Sequence, residues 1–295
     1  LNKAFFISFY SFERFKITIN PFFWIIIIGA ILTGQIVEII TLFAVVIIHE
    51  IGHLFTANSY QWKIIEIQLL PFGGMAKVEQ ITDSIWEEFI VAISGPFQNL
   101  MMIIIAITFQ KMNLWSKEWT TFFINANVLV GVFNLLPISP LDGSKILKVF
   151  FYRYFPFRKA LIYSIFISIV LSILFLLLVS GIILGTKINI NGLILAIFFI
   201  YNNLQDFKQV PYLFWNFLIQ KLKIKPRRNI QALPIIVHRD TPLIEALQLL
   251  RKEKYHLYYL LSDDGEIINV IPEEKLLENI FDNKELYRPI YQIVG

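Results

Sequence analysis

Cysteine is absent from the 295 residues. Disulfides and thiolate metal ligands are therefore excluded, and any metal must be held by nitrogen and oxygen. Charge is also scarce. Asp, Glu, Lys and Arg make up 16% of the chain, where a soluble domain of this size carries about a quarter. Histidine occurs only four times. The net charge of +4 is too small to suggest direct nucleic-acid binding, and the basic side chains read instead as topology signals. Hydrophobic residues fill the space left, at 56% of the chain and in long windows, which points to an integral membrane protein. Arg14 and Lys16 precede the first apolar run, and no small-residue cleavage site follows it, so that run reads as a retained signal anchor.

Apolar windows predict about six transmembrane helices, at 19–34, 36–58, 87–110, 119–138, 160–184 and 189–206. Arg14 and Lys16 flank the first, and Lys145, Lys148, Arg153, Arg158 and Lys159 follow the fourth. The opposite loops hold only Lys111 and Lys117 (with Glu118), then Lys187. The positive-inside rule then puts both termini in the cytoplasm.

Three further segments stand apart. In 61–80, "QWKIIEIQLLPFGGMAKVEQ", Ile65, Ile67 and Leu69 alternate with Glu66 and Gln68, and Gly73-Gly74 marks a turn. That pattern predicts a β-hairpin between two membrane helices. It is either a cytoplasmic loop or a re-entrant hairpin whose open edge can pair with an extended peptide. In 208–226, Leu213, Phe214, Phe217, Leu218 and Leu222 share one helical face, and Lys221, Lys223 and Lys225 follow. This suits an amphipathic linker helix, lying on an anionic leaflet or simply connecting two parts. From 227 to 295 the composition is that of a small soluble domain, reading helix, strand, a turn at Asp264-Gly265, strand, helix. Thr241 is its expected N-cap, with Pro242 at the first helical position. About 70 residues make a marginal core, which a second copy would complete.

The chemistry is concentrated in "VVIIHEIGHLFTANS" at 45–59. His49 and His53 are four residues apart, so on a helix they share a face and can grip one metal ion. Glu50 sits beside His49 and can take a proton from water without being a ligand. Ionisable residues inside a span are expensive and as a rule functional, although a hydrogen-bonded His pair without metal is the plain alternative. A catalytic zinc site needs a third ligand. His238 and His256 belong to the terminal domain. Glu38 is on nearly the same face but about 16 Å along the axis from His49. Glu66, Glu79, Glu87 and Glu88 belong to the hairpin and the next span. Asp142, at the end of the fourth span, matches the depth of His53 and is the best candidate. In "NLLPISPLDG" (134–143), Pro137 and Pro140 break the helix so that Asp142 can turn inward. Asn134 lies deeper and offers an amide N–H to a developing oxyanion.

Together these stretches resemble the site-2 proteases, intramembrane zinc metalloproteases. "HEIGH" matches that family's metal helix, "SGPFQN" (94–99) its Ser-Gly-Pro-x-x-Asn motif, "NLLPISPLDG" its Asn…Pro-Leu-Asp-Gly motif, and "PFGG" its re-entrant loop. The resemblance implies one zinc ion per chain on His49, His53 and Asp142, with Glu50 as general base. Asn134 would aid catalysis, and Asn99, Pro71, Phe72, Gly73, Gly74 and Pro140 would position substrate. The tail resembles a cystathionine-β-synthase-type (CBS) module.

The expected fold is thus a polytopic α-helical membrane protein with a re-entrant β-hairpin, plus a small α/β CBS-like cytoplasmic domain. The parts would be a membrane metalloprotease domain at 1–207, the linker at 208–226 and the module at 227–295. Six spans with one module resemble the family's fourth-stage sporulation branch. That implies a membrane-tethered precursor sigma factor as substrate, inhibitory membrane-protein partners, homo-oligomers through the module, and the mother-cell-derived membrane around a bacterial forespore. ATP is the ligand implied for such modules, but "VIPEEKL" lacks their Gly…Ser/Thr-x-x-Asp motif, so ATP would need other residues or a second copy. The rival class is a metal-transporting or metal-sensing membrane protein. It would carry further ionisable residues in other spans and two related halves, and neither is evident here.

Overall fold

The computed structural model describes residues 7–12, 15–19, 31–70, 73–79, 84–182, 187–223, 231–283 and 286–293. The chain divides into two compact units. The first holds residues 1–82, 86–137 and 141–146; the second holds 83–85, 138–140 and 147–295.

In the first unit a four-stranded sheet runs in the order β1 (Ile7–Phe12), β2 (Phe15–Ile19), β3 (Lys63–Leu70), β4 (Gly73–Glu79). β3 and β4 form the expected antiparallel hairpin, with Leu69 opposite Gly74 and Leu70 opposite Gly73. β1 and β2 were not expected. β2 pairs in parallel with β3, Lys16 opposite Glu66 through Ile19 opposite Leu69, so residue 19 belongs to a strand and not to the first span. Tertiary pairing with β3 decides this, and no local pattern announces it. Of the rest of that span, 20–30 lies outside the described residues and 31–33 is helical.

Three helices complete the unit: α1 (Ile36–Ser59), α2 (Ile85–Lys111) and α3 (Lys117–Asn134). α1 and α2 coincide with the second and third expected spans. α3, the fourth, stops at Asn134, three residues before Pro137. Val45, Met102 and Ala126 bring one residue from each helix into a shared core, flanked by Leu42, Ile48, Phe123 and Val130. Gly52 of α1 faces the Ser94 carbonyl of α2, and a Cβ there would lie 2.9 Å from that oxygen. Small residues of this kind let membrane helices approach closely. The hairpin packs along α1.

The second unit contains most of α4 (Asp142–Tyr154), α5 (Phe157–Val179), α6 (Ile190–Lys223) and the C-terminal module. Among the described residues three helices are long and apolar enough to cross a membrane: α1, α2 and α5. α6 corrects one expectation. The sixth span and the linker are a single 34-residue helix that continues through Pro211. Its apolar face does not meet lipid at the linker end, because Phe214, Phe217 and Leu218 are buried in protein and Phe217 stacks on Phe157 at 4.2 Å. Aromatic stacking inside protein fits the connecting helix of the two readings and not the one lying on a leaflet. Ser139 is held from two sides: its hydroxyl donates to Asp206 of α6 (2.7 Å), and its amide donates to Ser168 Oγ of α5 (2.8 Å).

The module is a three-stranded sheet, β5 (Ala232–His238), β6 (Tyr255–Leu261) and β7 (Ile267–Pro272), with helices α7 (Leu243–Leu247) and α8 (Glu273–Asn283). The expected turn is present, with Gly265 at φ +81°. β5 was missed; its Pro234 reads as a breaker, and an edge strand tolerates it. α7 is one short turn starting after Pro242, which is extended, so Thr241 is not its N-cap.

A buried ionic cluster joins α6 to the module. Lys221 Nζ donates to the Lys254 carbonyl (2.6 Å) and pairs with Glu273 (3.1 Å). His256 Nδ1 donates to Glu273 (2.7 Å), while its Nε2 accepts the Arg251 amide (3.2 Å), the pattern of a neutral ring. Burial lowers the His256 pKa from its ordinary 6.5, with Lys221 and Arg251 adding to the effect against Glu273. The unfolded chain therefore takes up this proton first on acidification. Stability from this site should be complete above 6.5 and decline as pH falls from there through the folded value. Thermal unfolding of the full chain in detergent should show a midpoint that drops as pH falls below 6.5, and His256→Gln should flatten that dependence.

Candidate metal centre and active site

The site begins with the periodicity of α1. Its buried residues are Thr41, Val45, His49, His53 and Ala57, a stripe at four-residue spacing. Ile47, Ile51 and Phe55 on the other faces are exposed, as a helix in contact with lipid requires. The two imidazoles thus point into protein from successive turns.

Asp142 reaches them from the start of α4. The chain leaves α3 at Asn134, passes Pro137 and the cis Ser139-Pro140 peptide, and re-enters helix at Asp142. Gly143 makes this return possible, since a Cβ there would collide with the carbonyl oxygens of Leu135 and Leu136. Asp142 Oδ2 then lies 3.1 Å from His49 Nε2 and 2.8 Å from His53 Nε2, and the two Nε2 atoms are 3.2 Å apart. All three residues are buried.

These separations fit a metal ion. Ligand atoms about 2.0–2.2 Å from a tetrahedral zinc stand about 3.3 Å from one another. Gly95 of α2 provides the room: a Cβ on it would overlap the Nε2 atoms of both histidines. The remaining polar atom of each ligand is also engaged. His49 Nδ1 donates to Asn99 Oδ1 (2.5 Å), and His53 Nδ1 donates to the Val91 carbonyl (2.7 Å). Lys145 Nζ donates to Asp142 Oδ1 (2.8 Å). Such outer contacts fix the ring tautomers and turn Nε2 and Oδ2 inward.

The other expected residues fall as follows. Glu50 is half-buried on α1, next to His49, and no described residue hydrogen-bonds its carboxylate. Asn134 ends α3, with one amide N–H donated to the Val130 carbonyl (2.9 Å). Asn99 stands behind His49. Pro140 lies in the α3–α4 connection, Gly73 and Gly74 are in β4, and Pro71 and Phe72 lie outside the described residues. Of the alternative ligands, Glu87 accepts from Trp62 Nε1 (3.2 Å), His256 pairs with Glu273 and His238 with Asp263. None of these meets the two imidazoles among the described residues.

Three residues escaped the sequence reading: Gly95, Lys145 and Asn127, which contacts Asn99. A glycine beside Pro96 in a helix interior is costly and hints at a close approach. A buried asparagine in an apolar span carries a similar hint. Lys145 is one turn from Asp142 on α4 and was read only as a topology signal. Gly95→Ala should keep α2 helical but fill the metal space. Zinc content after purification should drop to a small fraction of wild type, while detergent elution volume is unchanged.

Comparison with known proteins agrees with this geometry. The Peptidase family M50 model matches residues 37–115 and 111–180, and the CBS domain model matches 230–282. Stage IV sporulation protein FB of Bacillus subtilis is 28% identical over 270 residues, covering 91% of this chain and 92% of the relative. A zinc metalloprotease of Methanocaldococcus jannaschii is 28% identical over 279 residues, covering 89% of this chain and 78% of the relative. The solved site-2 protease from the same archaeon superposes with a TM-score of 0.54 at 26% identity, covering 68% of this chain and 94% of that one. The chain belongs to peptidase family M50: it is a membrane zinc metalloendopeptidase of the site-2 protease type with a C-terminal CBS domain.

Proposed function

We propose that the chain cleaves a membrane-tethered protein precursor within the bilayer, near its cytoplasmic face, and that this substrate is a precursor sigma factor processed during sporulation. The observation that carries the reading is the meeting of His49, His53 and Asp142 on the buried face of a helix apolar enough to cross a membrane. Similarity to stage IV sporulation protein FB over most of both chains supports the sporulation assignment. Both termini are then cytoplasmic, the membrane is the mother-cell-derived one around the forespore, and inhibitory membrane proteins are the expected regulators. The module at 227–295 pairs with a second copy.

His49, His53 and Asp142 would hold the ion, with Lys145 keeping Oδ1 of Asp142 occupied and Oδ2 inward. Zinc bound there supplies Lewis acidity and brings the pKa of a water towards neutrality. Glu50 takes the proton from the attacking water and delivers it to the leaving amine. Asn134 has spent one amide N–H on its own helix and retains the second for the charge developing on the carbonyl oxygen. A helical substrate hides its peptide bonds and must extend before cleavage. β4 ends the sheet order among the described residues and lies along α1. An extended segment can therefore add to its free edge along the helix that carries His49 and His53.

Co-expression with tethered sigma-factor precursors, read by product size, tests the proposal. Glu50→Gln should bind zinc as wild type does yet cleave at least about 100-fold more slowly. Full cleavage by that variant would sink the mechanism. Failure of the wild type on every sigma-factor precursor, with another tethered protein cleaved, would sink only the substrate assignment.

A further inference from the structure

Behind His49 lies a run of three buried dipoles. Asn127 of α3 donates from Nδ2 to the Phe123 carbonyl of its own helix (2.9 Å). Its Oδ1 accepts from Asn99 Nδ2 (3.1 Å), and Asn99 Oδ1 accepts from His49 Nδ1 (2.5 Å). Asn127 is 0% exposed, Asn99 2% and His49 1%, so water competes at none of these contacts. Gly131, one turn on from Asn127, leaves α3 close to α2; a Cβ there would press on the Asn99 Cβ at 3.3 Å.

The polarity of the whole run follows from its first member. A backbone carbonyl only accepts, so the amino end of the Asn127 amide must face Phe123 and its oxygen must face Asn99. Asn99 then has to present its own amino group to Asn127 and its oxygen to His49. An amide oxygen only accepts, so His49 Nδ1 must carry the hydrogen, and Nε2 is left with a lone pair aimed at Asp142 and His53. Reversing any one link would leave a buried donor facing a donor or an acceptor facing an acceptor, at the cost of an unsatisfied polar group.

We propose that Asn127 is a positioning residue of the metal centre: through Asn99 it sets the tautomer and ring orientation of His49, although it touches neither metal nor substrate. The inference rests on the metal site of the proposed function and extends it to a residue two hydrogen bonds away. Loss of the acceptor in Asn127→Leu, which keeps the branching and heavy-atom count of the side chain, frees the Asn99 amide to reverse. Zinc affinity should then fall about 10–100-fold, as it does when outer-shell partners are removed elsewhere. Asn127→Asp should restore most of it, because a buried, protonated carboxyl donates to Phe123 and accepts from Asn99 with the same polarity.

The test uses the full chain in detergent. Zinc affinity is read by chelator competition, the cobalt-substituted protein by its d–d absorption, and folding by elution volume. Asn127→Leu should weaken zinc binding and alter the cobalt spectrum, and Asn127→Asp should resemble wild type in both. Wild-type affinity and spectrum in a folded Asn127→Leu would overturn the proposal, and so would an Asn127→Asp as weak as the Leu variant. Should Asn127→Leu not fold, histidine 15N resonances of the metal-free wild type decide. A protonated Nδ1 at His49 supports the proposal, and a protonated Nε2 overturns it. Absence of zinc binding in the wild type would instead remove the metal-site reading, and the 15N result would still decide the tautomer.

Discussion

Two imidazoles and a carboxylate meeting inside an apolar helix bundle set the terms for the surrounding structure. Polar groups buried without partners cost several kcal/mol each in an environment that cannot hydrogen-bond them. Here none of His49, His53 and Asp142 is left with a loose end. The inward atoms converge on one point, and the outward atoms are taken up by Asn99, the Val91 carbonyl and Lys145. The partners come from α2 and α4, so satisfying the polar cluster and packing the helices are one constraint in the first unit.

Close helix approach follows from that constraint. Gly52, Gly95 and Gly131 stand at contacts among α1, α2 and α3, and Gly143 lets the chain double back onto Leu135 and Leu136. Each occupies a place where a methyl group would displace a neighbour. Glycine in a helix is unfavourable by roughly 0.5–1 kcal/mol relative to alanine. In this bundle the loss is offset by contacts that a larger residue would forbid. The SGPFQN stretch illustrates the economy: Gly95 leaves room at the Nε2 atoms of both histidines, Ser94 caps the Val91 carbonyl beside His53, and Asn99 holds His49.

The second unit applies similar physics to a different end. Lys221, Glu273 and His256 are all buried, and their mutual pairing makes that burial tolerable. The cluster secures the end of α6 to the module, together with the Phe157–Phe217 stack and the Phe157 amide bonded to the Leu250 carbonyl at 2.9 Å. The stretch that reads as an amphipathic linker helix is the continuation of one long helix.

Local geometry was legible wherever a residue's placement depends on its near neighbours. The four-residue spacing of His49 and His53, Glu50 between them, the helix-breaking prolines before Asp142 and the β3–β4 hairpin all follow from helix and strand periods and from the few residues able to bind metal. The helices α1 and α2 were evident from apolar length alone. Contacts between distant segments were not. β2 depends on pairing with β3 across more than forty residues of chain, and β1 on pairing with β2; Gly95 and Lys145 matter for the atoms brought up against them; and Lys221 looks like a lipid-facing base until Glu273 is folded onto it. Asn127 shows the division most clearly. The sequence by itself put an amide in an apolar span, but only the tertiary structure gave it a direction, because hydrogen-bond polarity is set by which groups meet and not by their order along the chain.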